Sequence, residues 1–81
     1  MKEKIRTIIK ENAKLRANIE SLDDSSDLYV AGMSSHASVT LMLALENEFG
    51  LEFPSSMLSR NVFSSVNSIS GAIESLTGQQ V

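Results

Sequence analysis

Two hydroxyls and an imidazole stand side by side in this chain, in Ser34-Ser35-His36. His36 is its single histidine and cysteine is absent. Disulfides and thiolate metal sites are therefore excluded, and a lone histidine argues against a histidine-rich metal site and against a Ser/His/Asp triad. Neighbours on a helix point about 100° apart, so Ser35 and His36 do not form a nucleophile–base pair. Two roles fit serines at the mouth of a helix. Either Ser34 or Ser35 caps it, the hydroxyl accepting a backbone N–H. Alternatively one hydroxyl is exposed there and carries a phosphate ester. Unpaired first-turn N–H groups and the positive end of the dipole suit a phosphodiester. His36 is then either an exposed first-turn side chain or a contact to that phosphate or to a partner. Elsewhere the acids are scattered. Asp23, Asp24 and Asp27 lie in a turn-rich segment without the glycine and closing glutamate of a calcium loop. Glu46, Glu48 and Glu52 stand far along the chain. No P-loop or dinucleotide fingerprint occurs. The expectation is a protein without catalytic residues or a metal of its own.

The elements that must position these residues follow from periodicity. Ile5, Ile8, Ile9, Ala13 and Ile19 recur near helical spacing, with Lys and Arg opposite, and predict a helix over about 2–19. Ser21 to Asp27 is rich in turn formers and breaks the pattern, giving a long connection over 20–33. Its apolar Leu22, Leu28, Tyr29 and Val30 should pack over the core. A second helix is predicted over 35–49, with Gly50 at the C′ position. Leu41, Leu45 and Phe49 form its core stripe, with Ser38 and Met42 beside it. Val39 and Leu43 lie on a flank that is either covered or awaits a partner. Pro54 ends that element. A short helix over 56–61 and a last one over 65–76 follow, the latter capped by Ser64 or Ser65 and built on Val66, Ile69, Ile73 and Leu76. Gly71 and Ala72 should let it approach a neighbour closely, and residues 77–81 should fray. The fold class is all-α: one domain over 1–81, a small bundle of three main helices plus one short helix, without strands.

The charge is divided. Six of the seven basic residues lie in the first sixteen, opposed there only by Glu3 and Glu11, and Arg60 is the sole basic residue of the acidic remainder. Without interleaved aromatics the basic segment reads as a solvated helix face, not a nucleic-acid site. The acidic part suits a basic partner protein. No apolar run approaches the roughly 20 residues that cross a bilayer, and the first residues lack the apolar core of a signal peptide. A soluble, cytoplasmic monomer is expected, with no nucleic acid and no membrane.

Gly32-Met33-Ser34-Ser35, then Val39, Leu41-Met42-Leu43-Ala44-Leu45-Glu46-Asn47-Glu48-Phe49-Gly50 and Phe53-Pro54, resemble the acyl carrier protein family. That family opens its second helix with Gly-x-Asp-Ser-Leu and follows it with an apolar-acidic stretch and an apolar-Pro pair. The resemblance implies that Ser35 carries a covalent 4′-phosphopantetheine derived from coenzyme A. Its terminal thiol would hold an acyl group as a thioester, so a chain without cysteine would borrow a thiol. Catalysis would belong to its partners: a phosphopantetheinyl transferase, a loading enzyme and a downstream acyl acceptor enzyme. The partner-facing positions would be His36, Val39, Thr40, Leu43, Glu46 and Asn47. Four positions depart from the pattern: Ser34 replaces the aspartate, His36 the leucine, Ala37 a frequent acid and Thr40 a glutamate. Gly-Met-Ser-Ser-His-Ala-Ser-Val is more similar to the stand-alone aminoacyl carrier proteins. Those are loaded with small amino acids, such as glycine or alanine, by amino acid:[carrier protein] ligases, homologues of aminoacyl-tRNA synthetases. The alternatives are a carrier of fatty-acyl or polyketide intermediates and an unmodified helical interaction module.

Overall fold

The computed structural model describes residues 1–78 and contains three α-helices: α1 (Lys2–Asn12), α2 (Ser35–Phe49) and α3 (Val66–Thr77). Single 3-10 turns at Ile19–Ser21 and Ser55–Met57 complete the regular structure, and no strand occurs among the described residues. The bundle measures 32 × 25 × 19 Å.

Helix α1 is shorter than the 2–19 expected. Ala13 caps it, its N–H reaching the Ile9 carbonyl, and Lys14 then takes a left-handed conformation at φ 50°. That conformation is costly for a side chain with a Cβ and stops the helix. The chain finds other partners: the N–H groups of Arg16 and Ala17 both donate to the Ala31 carbonyl, at 3.0 and 3.1 Å. Ile19 re-enters the core on its own turn, capped by Asn18. Every apolar residue of the expected stripe is buried. The spacing thus identified one buried face but not one continuous helix.

The same junction explains Gly32. Its φ is +115°, and a Cβ there would stand 2.7 Å from the Arg16 nitrogen. Only glycine permits the loop before α2 to lie this close to the segment after α1. The 20–33 connection is pinned at several further points. The Arg6 guanidinium pairs with Asp24 and donates to the carbonyls of Ile19 and Leu22. The Leu28 N–H donates to Ser64 O at 2.7 Å, and the Asn67 N–H to Asp24 O at 3.0 Å. Leu28 and Met33 are buried and Leu22 and Tyr29 pack against the core, but Val30, expected there too, is 82% exposed. At the outer bend Asp23 accepts the hydroxyls of Ser25 and Ser26 and the Ser25 N–H, which together hold its carboxyl below the usual aspartate range.

Helix α2 occupies the expected span. Leu41 and Leu45 are fully buried, Phe49 packs at the core's edge, and Gly50 closes the helix in the left-handed region at φ 63°. The short helix expected over 56–61 is only the 3-10 turn Ser55–Met57. Its serines are poor helix formers, and Leu58 lies half out in solvent, so no buried face supports a second turn. Helix α3 begins with a reciprocal Ser65/Ser68 capping box and ends at Gly78. Thr77 belongs to this helix; the rest of the terminus expected to fray, 79–81, lies outside the described residues. Gly71 does not serve close packing. It faces solvent, and a Cβ there would meet nothing within 4 Å, whereas Ala72 is buried. Helix α1 packs against both α2 and α3, which hardly touch one another. Phe53 and Phe63 join the two later connections edge to face, with ring centroids 5.2 Å apart.

Candidate functional site

The two serines at the head of α2 are inequivalent. Ser34 is the N-cap: its backbone is extended and its hydroxyl accepts the Ala37 N–H at 3.0 Å. Ser35 is the first helical residue, exposed, and its hydroxyl has no hydrogen-bond partner among the described residues. Its carbonyl receives the Ser38 hydroxyl at 2.7 Å. The cap bond therefore occupies one hydroxyl and leaves the next directed outward on an ordered helix.

Ser35 opens onto a groove of about 380 Å³ lined also by Tyr29, Ser38, Val39, Met42, Leu58, Ser59, Arg60 and Phe63. Ser35, Val39 and Met42 follow one another at spacings of four and three, so one stripe of α2 forms its wall. The opposite wall comes from the connection between the second 3-10 turn and α3. Arg60 lies over the Tyr29 ring, 4.2 Å from its centroid. No acidic side chain lines the groove.

A second stripe, His36, Thr40, Leu43 and Asn47, runs beside the first and is exposed throughout. Val39 and Leu43 are 52% and 55% exposed, which answers the question their pattern left open: the bundle does not cover them. Thr40 turns its hydroxyl back to the His36 carbonyl at 3.3 Å. Glu46 differs from its neighbours. It is half-buried, and its carboxylate accepts the Phe53 N–H at 2.8 Å. It holds the turn after α2 in place, whatever else it meets. Tyr29, Leu58 and Arg60 were not singled out by periodicity, because each lies in irregular chain. Arg60 alone had a signal, as the one cation beyond residue 16.

Among the described residues no cluster of acids and histidine could hold a metal ion, and no helix is long and apolar enough to cross a membrane.

Comparison with known proteins gives this geometry its class. The family model for the phosphopantetheine attachment site matches residues 3–73, and the chain belongs to that family. It is 40% identical over 70 residues to the aminoacyl carrier protein of Agrobacterium fabrum (strain C58), covering 86% of this chain and 84% of the relative. Its structure is similar to a chain in the crystal structure of an engineered Bradyrhizobium japonicum glycine:[carrier protein] ligase complexed with carrier protein from Agrobacterium tumefaciens and AMP. That match has a TM-score of 0.88 at 39% identity and covers 91% of this chain and 99% of the other. A solution structure of an Agrobacterium tumefaciens protein matches with a TM-score of 0.78 at 37% identity, over 96% and 94% of the two chains. The chain is thus a homologue of the aminoacyl carrier proteins, with the phosphopantetheine attachment domain and the all-α fold that the resemblance implied.

Proposed function

We propose that Ser35 is the attachment residue and that the protein carries a small amino acid, glycine in the first instance, for enzymes that do the chemistry. One observation carries the choice of serine: Ser34 is bound to the Ala37 N–H while Ser35 presents a free, exposed hydroxyl at the mouth of the groove. The residues around Ser35 fit 4′-phosphopantetheine. An unhindered alcohol is available for the phosphodiester, a mostly apolar trough lies beside it, and no carboxylate in that trough repels an anion. When attached, the arm supplies the thiol on which an aminoacyl group is held as a thioester. The protein's own part is to keep its root on a rigid helix and to present a face to each partner. It takes no catalytic role in this reading.

The docking face is His36, Val39, Thr40, Leu43 and Asn47, with the outer edge of Glu46. Val39 and Leu43 are its apolar anchors. A phosphopantetheinyl transferase, an amino acid:[carrier protein] ligase and a downstream acceptor enzyme would use it in turn, in the cytoplasm. Glycine as cargo draws on the glycine:[carrier protein] ligase found with the similar carrier.

Intact mass after incubation with coenzyme A and a phosphopantetheinyl transferase tests the reading. The wild type and Ser34→Ala should gain the arm, and Ser35→Ala should not. A wild type left unmodified beside a control carrier that is modified overturns it. On the modified protein, Leu43→Asp should slow loading by a glycine:[carrier protein] ligase at least tenfold while the fold, read by circular dichroism, is unchanged.

A further inference from the structure

We propose that Arg60 is a positioning residue that holds the phosphodiester at the root of the arm; this rests on attachment at Ser35. Arg60 and Ser35 line one groove, in which Arg60 is the sole charged group among the described residues. None of the ion pairs among the described residues includes Arg60; they join Lys4 to Glu48, Arg6 to Asp24 and Lys10 to Glu20. What holds it is the Tyr29 ring, 4.2 Å away. A guanidinium stacked on an aromatic ring uses its face and leaves its N–H edge free. That edge is the part that matches a phosphate, often with two parallel hydrogen bonds. The Tyr29 backbone is anchored, its N–H donating to the Asp27 carboxylate at 2.9 Å, and its side chain packs against the core. The stack therefore pre-orients a cation whose side-chain entropy is already reduced. The only anion that attachment at Ser35 brings into this groove is the phosphodiester itself. The ring thus serves as a rest for Arg60, and Arg60 as a clasp for the arm.

The test compares apo and fully modified protein by NMR, without any partner enzyme. On modification the Arg60 Nε–Hε resonance and the Tyr29 ring protons should shift. The 31P resonance of the arm should move in modified Arg60→Gln and move part of the way in Arg60→Lys, which keeps the charge but not the planar two-bond edge. About 1 M salt, where screening shortens to roughly 3 Å, should move the wild-type 31P resonance towards that of Arg60→Gln. Backbone amide spectra away from the groove should coincide in all three proteins, since Arg60 is exposed. Complete modification by mass with identical 31P resonances in wild type and Arg60→Gln overturns the role of Arg60 and leaves that of Ser35 standing. An Arg60 that responds only when a ligase is added is a partner contact and also overturns it. Absence of the mass gain at Ser35 overturns both.

Discussion

Ser34 and Ser35 are chemically alike and adjacent, and the fold engages only one of them: the Ser34 hydroxyl caps α2 while that of Ser35 has no partner among the described residues. Replacing Ser34 by alanine removes the α2 cap and should cost about 1 kcal/mol, read as a lower urea midpoint, with modification retained. Replacing Ser35 should leave stability nearly unchanged and abolish modification. Asp23 sets a second expectation. Hydrogen bonds from Ser25 and Ser26 depress its pKa in the folded state. Such a group stabilises the fold above the ordinary aspartate range, and that contribution disappears as pH falls through its folded value. Asp23→Asn should therefore lose less stability than the wild type as pH is taken from neutral to below the ordinary aspartate range. A sequence can show which residues have hydroxyls. It cannot show which hydroxyl is already engaged, because that depends on the backbone angle at the cap. The family pattern points to Ser35, and the 3.0 Å bond that engages Ser34 supports that proposal.

Helix α2 was legible to the residue because three signals coincide there: a capping serine, an apolar stripe and a terminal glycine. Helix α1 was not, since Ala13 and Ile19 keep the buried face while Lys14 breaks the backbone. The short helix failed for a different reason: its serines are poor helix formers and Leu58 faces solvent, so Met57 alone anchors the turn. In α3, Gly71 has no packing role, so Gly71→Ala should raise stability by about 0.5–1 kcal/mol in urea unfolding. At the end of α2, Glu46→Ala should cost about 1 kcal/mol, because it leaves the Phe53 N–H without its carboxylate. Glu46→Gln separates this structural part from docking, since its amide oxygen can still accept the Phe53 N–H.

Across the molecule, the close approach of Gly32 to Arg16 ties the end of α1 to the loop that leads into Ser35. Gly32→Ala meets both a positive φ and a backbone clash, and should destabilise by about 2 kcal/mol or more. Hydrogen exchange at the Arg16 and Ala17 amides should report the loosening first. The layout of the bundle has one more consequence. Helix α1 is the wall shared by α2 and α3, so its apolar face is half bare until α3 has been made. A nascent chain still on the ribosome can expose residue 35 without presenting it on a finished scaffold. Only when Val66–Thr77 has emerged and closed against the first helix is the bundle that carries residue 35 complete.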